Sequence, residues 1–565
     1  MPPALLVWAA AVAGVRLPVA ALIAVVAGLL LSGGGLLLAL RRRRSVRCGP
    51  LSRGLLTVGT PPAPRSFLTT LSIAVILAAA AASHSAVAAS QKHDGAVAGA
   101  AGARSGVVVE AEVAGVPRQL KVPGRSGSDR WAVPVTASVI IANGSLIRAD
   151  AELLIMGGGD WEQVVPGERI RTTGKLRPAE DGQTQAGILS ASTGPATTIA
   201  PSAWQEGPGA LRSGFAAAAG WIDGDARGLL PGMVTGDTSF LDDQLESAMK
   251  TVGMTHLTAV SGANCSLVLG ALLLAARCLR LPRVPAAGLA LAGLGLFVLM
   301  VGPDASVLRA ALMGSIAIAS LAGGRSGRGL SFLCMAVIGL LLIDPGLGTS
   351  FGFLLSVLAT LGIIVLGQRM LDWTPTVVPR WVAAAFAVPL SAQLLCGPVI
   401  VLLQPQFSTY SLLANVVASP LVAPVTLLGT AAVPLVIVAP WAATALIALA
   451  GTFSAGVAGT ARFMAALPGA LLPWPEGAFG LMTMLLLSVL TLVTVWALVR
   501  PRTAIQLVLA THRRTEARLK QMEDWQRAVR ANRRFGRPEH VRPGHSTKNS
   551  GGNPQWPLRK NKQPV

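Results

Sequence analysis

Apolar runs long enough to cross a bilayer recur along this chain, near residues 17–40, 67–89, 256–276, 284–301, 305–322, 330–343, 351–367, 381–403, 411–437, 440–466 and 478–500. About 20 helical residues cross a hydrocarbon core of about 30 Å. A spanning segment must also satisfy its own backbone polar groups, which favours helix over any open structure. With 52% hydrophobic and 13% charged residues in 565, soluble domains alone cannot bury so much apolar surface. The fold class expected is a polytopic α-helical membrane protein. Residues 4–15 are short for a span and 330–343 marginal, so either suits a tilted or re-entrant segment.

Short cytoplasmic loops collect Lys and Arg. Residues 41–66 carry Arg41 to Arg44, Arg47, Arg53 and Arg65 with no Asp or Glu, which places them inside. Counting spans onward puts 90–250 outside. The loops with Arg277, Arg280 and Arg283, with Arg325 and Arg328, and with Arg369 and Arg380 then fall inside, as does the basic tail. The small-residue run Ser85-Ala-Val-Ala-Ala-Ser90 has the look of a signal-peptidase site, but the upstream apolar segment and basic loop favour an uncleaved span.

Residues 1–89 thus form an N-terminal membrane segment with a basic loop, and residues 90–205 change character. Short β-prone runs at 106–113, 131–141, 151–156, 168–177 and 186–193, broken by Gly, Pro and Asn, suit a small extracytoplasmic β-barrel of the OB type. In Gly167-Glu-Arg-Ile-Arg-Thr-Thr-Gly-Lys-Leu-Arg177, alternation sets Arg169, Arg171, Lys175 and Arg177 on one strand face and Ile170 and Leu176 on the other. Such a face either tracks a phosphodiester backbone or is simply solvated; the balance of acidic and basic residues over 90–205 favours the second. Cys48, Cys265, Cys278, Cys334 and Cys396 all lie outside this domain, so no disulfide is expected in it. No Cys and His spacing resembles a zinc site, no phosphate-binding loop is present, and neither metal nor cofactor is expected.

Over 206–255, Phe215, Trp221, Leu229, Leu230, Met233, Phe240, Leu241 and Leu245 alternate with polar positions and suit interfacial helices, kept wet on one side by Asp237, Asp242, Asp243 and Glu246. The tail, 501–565, is basic. Its stretch 511–535 suits a surface helix, and the Pro, Gly, Ser, Asn and Lys content after Arg537 predicts disorder. Anionic lipid is the favoured partner for such a tail, with incoming DNA the sharper alternative.

Polar residues within 256–500 mark a route, because such groups are costly at bilayer depth unless they meet a partner or water. His256, Ser261 and Asn264, taken as one helix, fall within an arc of about 140° and face one cavity. Arg309 needs a counter-charge, which either Asp304 or an incoming phosphate supplies. Gly352, Ser356 and Thr360 form a small-residue stripe suited to helix packing. Gln393 lies between Pro389 and Pro398, and Asn415 precedes Pro420 and Pro424, so both are expected in interrupted helices lining a cavity.

Gly228-Leu-Leu-Pro-Gly232, His256-Leu-Thr-Ala-Val-Ser-Gly-Ala-Asn264, Ser306-Val-Leu-Arg-Ala-Ala-Leu-Met313 through Gly324-Arg325 to Asp344-Pro345 and Gly352-Phe-Leu-Leu-Ser356, and Gln393 with Asn415-Val-Val-Ala-Ser-Pro420 keep their order across about 200–430. This set resembles the ComEC family of DNA-internalisation channel proteins. The resemblance implies a channel admitting one strand of DNA in natural transformation, served by a DNA receptor outside and a helicase-like ATPase inside. Many members carry a second histidine where this chain has Asn264 and a glutamine where it has Leu354, so those roles do not carry over. Many also continue into a metallo-β-lactamase-like nuclease domain with a His-x-His-x-Asp-His cluster; His512, His540 and His545 stand apart, and the expectation is transport without catalysis.

Two other functions compete. A small-molecule secondary transporter explains the polar core, but no corresponding interrupted segments appear in two halves of the chain. An intramembrane hydrolase using Ser261 and His256 fails on geometry, since five residues along one helix point the two side chains about 140° apart.

Overall fold

The computed structural model describes residues 2–17, 21–32, 63–93, 96–115, 117–120, 130–179, 185–200, 203–258, 260–302, 305–322 and 329–535. The arginine-rich loop 41–62, Cys48, Asp304, Arg325, Arg328 and the end of the tail lie outside these residues.

The N-terminal part contains α1 (Pro2–Arg16), α2 (Ala21–Ser32) and α3 (Ala63–His93). Of the span expected over 17–40, the described residues hold α2, which starts after α1 has ended at Arg16. The segment 4–15, short for a span, belongs to α1 and is held by packing. Val7 and Ala11 meet Ala78 and Ala82 of α3, and Trp8 donates its indole N–H to the carbonyl of Gly348 at 2.9 Å. Its ring also lies 5.0 Å from that of Phe353.

After α4 (Ala96–Gly102) come β1 (Gly106–Val113), β2 (Arg118–Leu120), β3 (Arg130–Ala142), β4 (Ser145–Gly157), β5 (Arg169–Arg177), β6 (Gly187–Ala191) and β7 (Ala196–Ile199). The hydrogen-bonded order β1-β3-β4-β6-β5 closes because β5 also pairs with β1, giving a five-stranded barrel extended by β2 and β7. β4 and β6 run parallel and the other neighbours antiparallel. In chain order the closed strands follow 1-2-3-5-4-1, the partly Greek-key layout of an OB barrel. The β3–β4 hairpin turns on Asn143 (φ 50°) and Gly144 (φ 77°), the pair that tolerates left-handed backbone in a tight turn. Alternation holds on β5, where Ile170, Thr172, Gly174 and Leu176 point inward and Ile170 and Leu176 are fully buried. They join Val109, Ile140, Leu153, Ile155, Trp161 and Leu189 in the barrel core.

The membrane core follows: α5 (Ala203–Ala219), α6 (Ala226–Thr235), α7 (Asp243–Thr251), α8 (Gly262–Cys278), α9 (Arg283–Val301), α10 (Ala305–Ala322), α11 (Gly329–Ile343), α12 (Phe351–Trp373), α13 (Arg380–Leu403), α14 (Ser411–Val438), α15 (Pro440–Ala465) and α16 (Gly477–Val499). Among the described residues, seven helices meet the length and composition of a membrane span: Thr69–Val87 within α3, and α9, α12, α13, α14, α15 and α16. The chain is a multi-pass membrane protein carrying a small β-barrel. A short two-stranded pairing of β8 (Gln406–Ser408) with β9 (Leu471–Pro473) ties the α13–α14 connection to the α15–α16 connection.

Two sequence expectations change here. α6 was placed at an interface, but Leu229, Leu230, Met233 and Val234 are buried along with Gly228, Pro231, Gly232 and Thr235; only Arg227 is exposed. A helix apolar nearly all round is one enclosed by protein, and α6 packs on α14 and α15. The prolines of α13 and α14 do not break those helices, which run on through Pro389, Pro398, Pro420, Pro424 and Pro434. Irregular backbone falls instead at Ile363–Gly367, a π turn inside α12, and ahead of α8, where Thr255–Leu257 form one 3₁₀ turn.

A separate compact unit begins at Trp496, in the last turn of α16, and the described part of the tail after it is a single helix, α17 (Pro501–Phe535). Along it, His512 pairs with Glu516 at 3.1 Å and Arg527 with Glu523 at 3.5 Å, the spacing that stabilises exposed helices. The stretch after Arg537, expected to be disordered, lies outside the described residues.

Candidate polar site in the membrane core

The start of α8 organises the site. Ser261 stands at its N-cap with extended backbone (φ −100°, ψ 162°), yet its hydroxyl does not cap the helix. It donates instead to Oδ1 of Asn264 at 3.3 Å. Asn264, 4% exposed, uses its whole amide: Nδ2 donates to the carbonyl of Met233 at 3.1 Å, and Oδ1 also accepts from Oγ1 of Thr426 at 3.3 Å. One side chain therefore ties α6, α8 and α14 together. Met233 lies in the last turn of α6, where carbonyls lack helical partners, and Asn264 satisfies one.

His256, Ser261 and Asn264 were expected on one helical face. The structure corrects this: His256 lies in the separate 3₁₀ turn and is exposed, and helix begins only at Gly262. The turn follows from a chain that must bend between α7 and α8, so the 3.6-residue period does not extend back across 255–261.

Arg309 of α10 is 5% exposed. Its Nη1 donates to the carbonyl of Ser356 and to Oγ1 of Thr360, both on α12. No ion pair to Arg309 exists among the described residues, and its buried Nε has no hydrogen-bond partner. Asp304, one expected counter-charge, lies outside the described residues. Gly352, Ser356 and Thr360 were read as a packing stripe; in the structure two of the three hold a guanidinium. That role was hidden because it depends on which helix lies opposite.

Gln393 is half-buried on α13 and makes no hydrogen bond among the described residues. Asn415, half-buried on α14, turns its Nδ2 back to the carbonyl of Ser411 at 2.8 Å. Neither contacts Asn264 or Arg309 by hydrogen bond. Thr426 and Gly262 are the site members that sequence reading missed, and neither stands out from its apolar or small neighbours.

On the barrel, Arg169, Arg171, Lys175 and Arg177 share the exposed face of β5 as their alternation predicts. The register sets Glu110 opposite Arg171 and Glu112 opposite Arg169. Their side chains approach to 3.8 and 3.6 Å, so half of the basic face is neutralised by β1.

Comparison with known proteins points one way. A family model described as Competence protein matches residues 233–499, the stretch holding Asn264, Arg309, Gln393 and Asn415. Residues 233–499 of the chain resemble the competence-protein family. ComE operon protein 3 of Bacillus subtilis (strain 168) is 29% identical over 196 residues, covering 35% of this chain and 25% of that protein. The chain thus matches about a quarter of the length of this curated relative. No solved structure matches the chain.

Proposed function

We propose that this protein is the membrane channel through which one strand of DNA crosses the cytoplasmic membrane in natural transformation. The barrel stands outside and the tail inside, in line with the arginine-rich connections. The observation that carries the reading is Arg309: a buried cation in the family-matched core, with no ion pair among the described residues and a donor left open. Membrane proteins retain such a residue where an anionic cargo passes or docks. A DNA receptor outside and a helicase-like ATPase inside supply delivery and pull, since the chain carries no phosphate-binding loop. The channel itself breaks no covalent bond.

The test is uptake of labelled DNA in a competent host, scored as surface-bound and nuclease-protected fractions, with and without this chain. Loss of the protected fraction at unchanged surface binding is expected in the deletion strain. Unchanged protection there refutes the channel.

A further inference from the structure

The two positive features of the core face each other. A guanidinium offers two kinds of donor pair: the two terminal nitrogens, or Nε with Nη2 along one side. In Arg309, Nη1 is taken by Ser356 and Thr360. Nε is buried without a partner, and Nη2 makes no hydrogen bond among the described residues. The open side is thus the Nε–Nη2 fork, the edge that matches two oxygens of a phosphate.

The Nη2 end of that edge lies at the start of α8. A Cβ placed on Gly262 would lie 3.3 Å from Nη2 and 3.1 Å from Cβ of Ala310. α8 is 17 residues long, and its N-terminal end carries partial positive charge from unsatisfied N–H groups. The usual means of offsetting that charge is a side-chain cap, and Ser261 has turned away to Asn264. A buried cation therefore abuts an uncapped helix N-terminus, and no described carboxylate lies between them. Only an anion satisfies both, because helix N-termini and side-on arginines bind the same oxygens.

We infer that the Nε–Nη2 edge of Arg309 and the first turn of α8 form a seat for one phosphodiester group of the transported strand, with Gly262 as the residue whose missing side chain lets the two meet. This rests on the DNA-channel reading for the identity of the cargo, but the seat itself rests on geometry. In this structure Gly262 lies against the Nη2 end of the fork, so a phosphate enters by displacing the first turn of α8. That turn is preceded by extended backbone at Ser261 rather than by continuing helix.

The test uses the full chain in two settings. In cells, Arg309→Lys keeps the charge and loses the fork, and the nuclease-protected DNA is expected to fall at least tenfold with surface-bound DNA unchanged. Gly262→Ala keeps Arg309 and fills the gap, and is expected to fall by a smaller factor; it serves as the test if Arg309→Lys does not fold. In mild detergent, a thymidine decamer with phosphodiester linkages is expected to raise the melting temperature of the wild type. A methylphosphonate decamer of the same sequence should not, and neither oligomer should shift Arg309→Lys. Wild-type uptake by a folded Arg309→Lys variant, with a deletion strain that loses uptake, overturns the seat and leaves the channel standing. Uptake that survives deletion removes the channel, and the melting experiment then decides the seat alone. A shift produced by phosphatidylglycerol and not by the decamer reassigns the seat to a lipid headgroup and overturns the inference.

Discussion

Replacing Asn264 by Leu should loosen the joint between α6, α8 and α14 while keeping the branching and the number of side-chain heavy atoms. Three hydrogen bonds are lost: to the Met233 carbonyl at 3.1 Å, and from the Ser261 and Thr426 hydroxyls at 3.3 Å. A buried carbonyl left unpaired costs about 1–3 kcal/mol. Hydrogen bonds between membrane helices average about 0.6 kcal/mol each, because the separated helices find other partners. Ser261 is only half-buried and recovers its bond from water, which leaves a net loss of about 2 kcal/mol, or roughly thirtyfold in the folding equilibrium. The assay is SDS titration of the purified chain in mixed micelles, followed by tryptophan fluorescence. Combining Asn264→Leu with Thr426→Val closes a double-mutant cycle whose coupling should be about 0.6 kcal/mol. Loss below about 0.5 kcal/mol with strictly additive variants would refute the reasoning, since it would mean that α6 is held by apolar packing alone.

Four further outcomes are expected. Arg462 of α15 binds Asp225 in bidentate fashion at 2.5 and 2.7 Å and Asp242 at 2.8 Å, so Arg462→Gln should speed protease cleavage between α6 and α7 severalfold. The Leu245 backbone N–H, then Arg462, hold the Asp242 carboxyl below its ordinary pKa. Its stabilisation is therefore complete above that value and fades as pH falls through it toward the lower native pKa, and Asp242→Asn should flatten the acid limb of a melting-temperature profile. In the barrel, a Cβ on Gly157 would lie 2.0 Å from the Trp161 ring, so Gly157→Ala should expel that fully buried indole, raise its fluorescence quenching by iodide and destabilise the domain by about 1–3 kcal/mol. If single-stranded DNA crosses the β5 face, Lys175→Ala and Arg177→Ala should each reduce the salt dependence of its binding by about 0.7 in slope. Arg171→Ala should change it less, because Glu110 already offsets that charge.

The membrane class and the barrel were legible because each rests on a local pattern. Apolar runs of span length leave few folds open, and inward-outward alternation on 168–177 reproduced the burial of β5. Strand ends were less so: β4 starts at Ser145, well before the apolar run at 151, since Arg148 and Asp150 sit on its wet face and carry no hydrophobic signal. Polar residues in the core were legible as a set, because each is chemically out of place in its run. Their grouping was not, since an unbroken helix was assumed through 256–264 and the chain turns there.

Residue types alone determined that the chain crosses a membrane several times, that a small barrel precedes the core, and that Arg309 and Asn264 are exceptional among their neighbours. Only the tertiary structure decided what those two do. Asn264 is spent inside the protein, on Met233, Ser261 and Thr426. Arg309 is held by Ser356 and Thr360 with its fork left open and the Nη2 end at Gly262. The physical reason is that burial and periodicity are properties of one segment, whereas a hydrogen bond between helices depends on which helix lies opposite. That choice is made by the packing of all of them together.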